Sequence, residues 1–222
     1  MLYAQLEGQA FSEPIGKIVC VGRNYADHAA ELNNPVPDSP LLFIKPGCCA
    51  VNVTSDFTIP TEQGEVHHEL EIALLMGETP HKDDDIVSAI AGVGLALDLT
   101  LRDVQQQLKS KGHPWERAKA FAGACPLTEF VAAEQVEDWQ ALTLSLHRNG
   151  QLQQHGCSRD MLFPIEHLLS DIHSAFGLQA GDVVLTGTPA GVGPLAVGDE
   201  LLLSLNNWLE VPLRVGAQHE SL

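Results

Sequence analysis

Glu69 and Glu71 stand two residues apart at the head of an apolar run that Gly77 closes. The pattern over residues 66–77 predicts a strand. Alternate residues of a strand share a face, so both glutamates point one way while Leu70 and Ile72 point the other. Two carboxylates entering an apolar run repel each other and lose hydration, and a cation between them relieves both costs. A solvated strand edge would carry the same E-x-E. What favours the cation is Asp98, which ends a second apolar run, residues 89–97, where a carboxylate needs a partner. Three carboxylates and no paired cysteines suit a hard ion, Mg²⁺ or Mn²⁺, rather than structural zinc.

Other side chains with chemical potential lie near these acids in sequence. Asn24 followed by Asp27 reads as a helix start, which places His28 and Glu31 at i and i+3 on one face. A carboxylate beside a histidine fixes its tautomer and stabilises the protonated ring, as a general base requires, although an exposed ion pair would look the same. Residues 100–111 predict a helix ended by Gly112, with Arg102 and Gln105 on one flank close to Asp98. Lys119 lies among small and aromatic residues, where a surface lysine is the commoner outcome. The Gly/Thr loop 186–193, containing Thr188, offers N–H groups and hydroxyls to an anion but lacks the lysine and spacing of a P-loop.

The elements that must position these residues are mostly strands. Residues 17–21 and 40–46 read as strands, the second running into Lys45, with a proline-rich connection, a loop or lid, between them. Residues 141–148 alternate and meet Asn149-Gly150, a strong hairpin signal. Residues 164–176 predict an amphipathic helix with Ile165, Leu168, Leu169, Ile172 and Phe176 inward and Gly177 as its stop. A strand at 182–185 and a hairpin turning at Asn206-Asn207 follow. The fold class is α+β, β-dominated, in a single domain.

Composition narrows the function. The 222 residues include 12 basic and 29 acidic ones, a formal net charge of −17. Such a surface repels nucleic acid and anionic membrane, and an anionic substrate would need a local positive site. The N-terminus has no basic n-region and no run approaches the ~18 apolar residues of a membrane span, so no signal peptide or span is expected. Five cysteines without a C-x-x-C fit reduced thiols in a cytoplasmic protein.

Six stretches in order resemble the fumarylacetoacetate hydrolase family, and its short acylpyruvate hydrolase and oxaloacetate decarboxylase members above all. They are Gly22-Arg23-Asn24-Tyr25 with Asp27-His28; Phe43-Ile44-Lys45-Pro46; His67-His68-Glu69-Leu70-Glu71; Leu97-Asp98-Leu99-Thr100 with Arg102 and Gln105; Ala118-Lys119-Ala120-Phe121; and Thr186-Gly187-Thr188-Pro189 with Gly191-Val192-Gly193. The resemblance implies a fold like that family's C-terminal domain over residues 17–222, with 1–16 as a lead-in segment, and a homodimer. It implies Mg²⁺ or Mn²⁺ on Glu69, Glu71 and Asp98, a water-activating dyad of His28 and Glu31, and Lys119 opposite the developing negative charge. Arg23, Tyr25, Lys45, Arg102, Gln105 and Thr188 would contact substrate. The implied activity is C–C bond cleavage of a small 2-oxo acid, by acylpyruvate hydrolysis or oxaloacetate decarboxylation. Isomerisation or decarboxylation of unsaturated 2-oxo diacids in aromatic catabolism is the alternative. Two other readings of the residues are a cupin-type metal oxygenase, suggested by His67 and His68, and a non-catalytic module with a structural metal. Adjacent histidines point to opposite sides of a strand, which disfavours the cupin.

Overall fold

The strand expected over residues 66–77 is two strands, and it breaks at Glu69. The computed structural model describes residues 1–27, 37–81 and 85–218. Val66–His68 belongs to a three-stranded sheet between Thr100–Leu101 and Gly193–Pro194, whereas Leu70–Met76 lies inside an eight-stranded sheet. All seven residues of Leu70–Met76 are buried, the signature of a strand covered on both faces rather than on one.

The larger sheet runs Leu41–Pro46, Lys17–Gly22, Val183–Leu185, Leu70–Met76, Ile90–Leu97, Cys125–Leu127, Ala50–Asn52, with Val131–Ala132 also on Ile90–Leu97. A five-stranded sheet, Gln151–Cys157, Thr143–Arg148, Glu200–Leu205, Leu209–Gln218, Asp56–Pro60, shares no strand pairing with it but packs against it, Leu144 and Leu203 in one core with Ile72 and Leu95. The register of one antiparallel pair builds the site. Leu70 faces Leu97, and the Asp98 N–H donates to the Glu69 carbonyl at 2.8 Å, so Glu69 lies across from Asp98 and their side chains share a face. Glu71, two residues on, shares it too.

Two helix expectations need correction. The helix expected over residues 100–111 spans Arg102–Ser110, because Thr100 and Leu101 pair with His67 and Val66 and cannot also close helical turns. In the helix Ile165–Phe176, the residues Ile165, Leu168, Leu169 and Ile172 are buried as the pattern requires, but Phe176 is 41 % exposed. Gly177, at φ +62°, turns the chain and Leu178 takes the buried place instead. Asn149 and Gly150 both have positive φ, as a tight hairpin turn needs. Residues 1–16 carry a hairpin, Tyr3–Leu6 with Gln9–Pro14, whose Ala4 packs in the same cluster as Ile18 and Phe130. Among the described residues no helix is long and apolar enough to cross a membrane.

Candidate active site

One carboxylate oxygen from each of Glu69, Glu71 and Asp98 lies within 4.8 Å of the others, and the three residues are only 6, 1 and 1 % exposed. Cations answer them. Lys119 Nζ donates to Glu69 Oε2 at 2.8 Å and to Asp98 Oδ2 at 2.5 Å. Arg102 donates through Nη2 to Glu69 Oε1 and through Nη1 to Gln105 Oε1, both at 2.6 Å. The Gly187 N–H donates to Glu71 Oε2 at 2.6 Å. Gly187 must be glycine: its φ is +94° and a Cβ would stand 2.7 Å from that of Asn24.

Burial, then the charges of Asp98 and Glu69, push the Glu71 carboxyl well above its ordinary value. Burial works against the Lys119 ammonium, but Asp98 and Glu69 outweigh it and raise its pKa. Lys119 therefore stays charged.

Lys45 Nζ stands 2.8 Å from Asp98 Oδ1. An ammonium has only three protons, and the carbonyls of Leu99, Lys119 and Ala124 accept them. Asp98 Oδ1 is thus balanced in charge yet receives no hydrogen bond among the described residues. A buried oxygen with free lone pairs, in an all-oxygen donor set, fits a hard divalent cation.

The three acids line a narrow cleft. Arg23, Arg102 and Lys109 line one part of it and Leu41, Phe43 and Trp115 another. Lys119 Nζ lies 5.1 Å from the centroid of the Phe43 ring, a cation–π contact that holds the ammonium beside the acids.

Residues 17–216 match the model of the fumarylacetoacetate (FAA) hydrolase C-terminal family. The chain belongs to the fumarylacetoacetate hydrolase family. Over 203 residues it is 48 % identical to the oxaloacetate tautomerase YcgM of Escherichia coli K12, covering 90 % of this chain and 93 % of that one. A solved chain of the same family from Oleispira antarctica superposes with TM-score 0.93 at 55 % identity, covering 97 % of this chain and all of that one. The fumarylpyruvate hydrolase of Pseudomonas aeruginosa, solved with Mn²⁺ and pyruvate, superposes with TM-score 0.90 at 30 % identity, covering 98 % of this chain and 96 % of that one.

Within this family framework the sequence-derived candidates separate. Glu69, Glu71, Asp98, Lys119, Arg102, Gln105, Arg23 and Thr188 all line the one cleft. Lys45 does not: it is 0 % exposed beneath Asp98, so the expected substrate contact gives way to a buried support. Tyr25 is 4 % exposed, bridges to Met161 and does not line the cleft among the described residues, and its buried hydroxyl has no hydrogen-bond partner among them. Burial first, then Glu71, raises its hydroxyl pKa and keeps it protonated. His28 and Glu31 lie outside the described residues. His67 bonds Glu65 at 3.0 Å and Arg102 Nε at 3.4 Å and stands outside the acidic triad, which removes the ligation that a cupin would need.

Gln154 is a residue that sequence reasoning missed. It is fully buried, and its Oε1 accepts from His68 Nδ1 at 2.9 Å and from the Leu70 N–H at 3.0 Å, the two neighbours of Glu69. Its Nε2 donates to Thr188 Oγ1 at 2.7 Å and to the Pro189 carbonyl at 2.9 Å. Thr188 in turn donates to the Leu70 carbonyl at 2.8 Å. One amide therefore ties the break at Glu69 to the loop whose Gly187 holds Glu71. Nothing local distinguishes Gln154 from Gln151 and Gln153, since its partners lie over 30 residues away. Lys109 was also missed, although its spacing of seven from Arg102 was visible.

Proposed function

We propose that this protein is a divalent-metal-dependent enzyme acting on a small 2-oxo diacid, with oxaloacetate as the first candidate. Its reactions would be keto–enol interconversion and decarboxylation, which breaks the bond between the carbon beside the oxo group and the distal carboxylate and leaves that bond's electron pair as an enolate. The observation that carries the reading is the buried triad Glu69, Glu71 and Asp98 in a cleft that is also lined by Arg23 and Lys109, which have no ion pair among the described residues. The 48 % identity to a protein named oxaloacetate tautomerase supports the choice of substrate, and a 30 % identical relative solved with Mn²⁺ and pyruvate supports the metal and the 2-oxo acid end.

Glu69, Glu71 and Asp98 would hold Mg²⁺ or Mn²⁺, which when bound supplies Lewis-acid stabilisation of charge on the 2-oxo oxygen, worth several kcal/mol. The remaining tasks belong to the chain. Arg102 and Gln105, locked together at 2.6 Å, orient the substrate carboxylate. Lys119 opposes the negative charge that develops when a proton or CO₂ leaves, a role worth roughly 3 kcal/mol in a dry site. In the metal-free protein Asp98 and Glu69 keep it charged. The proton transfer falls in this reading to His28 supported by Glu31, which would also activate water if an acylpyruvate were hydrolysed in the same cleft. The reading places the enzyme in the cytoplasm as a homodimer. It is supported by five free cysteines and by the outer edge of Leu41–Pro46, which pairs with no strand among the described residues.

The test is a panel of oxaloacetate, acylpyruvates and unsaturated 2-oxo diacids, each assayed on metal-stripped protein with and without Mg²⁺ or Mn²⁺. Metal-dependent turnover of oxaloacetate supports the reading. Activity confined to unsaturated diacids would shift it to the isomerase alternative, and no turnover of any member would overturn it.

A further inference from the structure

The cations of the cleft fall into two groups. Lys45, Lys119 and Arg102 each face a carboxylate of the triad at 2.8 Å or less. These three cations are engaged by Glu69 and Asp98 before any ion or substrate arrives. Arg23 and Lys109 differ. Both line the same cleft, and neither has an ion pair with an acid among the described residues. In a chain with 29 acidic residues against 12 basic ones, two cations at one opening with no acid partner among the described residues invite an anion from outside.

Their placement is built into the fold. Lys109 lies seven residues after Arg102 on the helix Arg102–Ser110, two turns along the face that already carries Gln105. Arg23 has φ +62°, a left-handed conformation that side chains with a Cβ avoid. What holds it there is Asn24, fully buried. Asn24 Nδ2 donates to the carbonyls of Phe163 at 3.1 Å and Thr186 at 2.8 Å, and Oδ1 accepts from the Phe163 N–H at 2.8 Å. The clamp fixes the turn immediately before it, and with it the direction from which the Arg23 guanidinium enters the cleft. Partial desolvation, then repulsion from Arg23 and Arg102, holds the Lys109 ammonium below its ordinary pKa, and an anion between the groups would relieve that repulsion. Of the other lining side chains, Leu41 and Phe43 carry no hydrogen-bond donor and Trp115 carries only its indole N–H, so the charge available to an anion here is that of Arg23 and Lys109.

We infer that Arg23 and Lys109 form a second anion subsite at the mouth of the cleft, which receives the distal carboxylate of the substrate and selects 2-oxo diacids over 2-oxo acids with uncharged tails. This rests on the proposed function, in which the triad takes the 2-oxo acid end. Lys109, on the rim, sets the preference, and Arg23, held by Asn24, sets the direction of the tail.

The experiment compares kcat and KM of the full-length, Mg²⁺-loaded protein for oxaloacetate and for acetylpyruvate, whose tail is a neutral acetyl group. Lys109→Met should lower the ratio of kcat/KM for oxaloacetate to that for acetylpyruvate by about 10-fold, mostly through KM, the size of one charge-assisted bond at a partly screened site. Lys109→Arg should hold the ratio, and Lys109→Glu should lower it further. Lys109 is exposed on its helix, so these variants are expected to fold. A ratio unchanged within about 2-fold in both Lys109→Met and Lys109→Glu, with the unsubstituted protein active, overturns the subsite and leaves the proposed function standing. An unsubstituted protein that turns over neither compound overturns both.

Discussion

Lys45 Nζ stands 2.8 Å from Asp98 Oδ1, with both side chains at most 1 % exposed, and gives its protons to three backbone carbonyls instead. The lysine thus lowers the electrostatic cost of burying Asp98 without occupying the oxygen that a metal ion would use. Lys45→Met removes that charge and strands three carbonyls, at a cost of about 3 kcal/mol. Urea unfolding of the metal-free protein should show the loss as a lower midpoint at unchanged slope. A midpoint equal to that of the unsubstituted protein would mean Asp98 does not depend on the pair.

Gln154 is expected to govern metal affinity without touching the metal. Its amide fixes both neighbours of Glu69 and, through Thr188 and Pro189, the loop that holds Glu71. Outer partners of this kind are worth about 10- to 100-fold in affinity. Gln154→Leu should weaken Mn²⁺ binding by about that factor, measured by calorimetry. Gln154→Glu, which keeps the acceptors and loses the donors to Thr188 and Pro189, should fall between. Equal affinity in all three proteins would reduce Gln154 to packing.

The metal-free protein should show an inverted pH response at Glu71. Burial, then Asp98 and Glu69, raise this carboxyl above 4.5, so the folded chain holds the proton more tightly than the unfolded one. Its contribution to stability is complete below the unfolded value and is lost as pH rises through the folded value. Metal binding must displace the same proton, so affinity should climb with pH across that window. Calorimetry in buffers of different ionisation enthalpy counts the protons released. Zero release throughout the window would contradict the raised pKa.

Removing His28 should separate the two bond-breaking reactions. Hydrolysis needs an activated water and decarboxylation does not, so His28→Ala should depress acylpyruvate hydrolysis by about 10²-fold or more and oxaloacetate decarboxylation far less. Equal loss of both activities would remove the assignment of His28 to water, leaving the triad untouched.

The chemistry of this site was legible where it depends on local spacing. E-x-E on a strand and an acid closing a buried run place three carboxylates together once the two strands pair, and Arg102 with Gln105 follow from helical periodicity. What escaped depends on pairing across the chain. Residues 66–77 read as one strand because nothing local marks the change of sheet at Glu69, which only the partners Thr100–Leu101 and Ile90–Leu97 reveal. Those same partners shortened the helix after Asp98. Lys45 carries a charge that sequence reasoning assigns to solvent or ligand, and only the convergence of Leu99, Lys119 and Ala124 carbonyls explains its burial. Phe176 was placed inward because the helical pattern continues to its last residue, while Leu178 just beyond the turn fills the core.

The most direct test of the metal-site account is an equilibrium titration of the stripped protein with Mn²⁺, followed by electron paramagnetic resonance, with and without oxalate. One Mn²⁺ should bind per chain, and oxalate, which mimics the chelating end of a 2-oxo acid, should tighten it, with Mn²⁺ tightening oxalate by the same factor. Asp98→Asn should abolish the site. Saturable Mn²⁺ binding that ignores oxalate, or no saturable binding at all, would contradict a substrate-accessible ion on Glu69, Glu71 and Asp98.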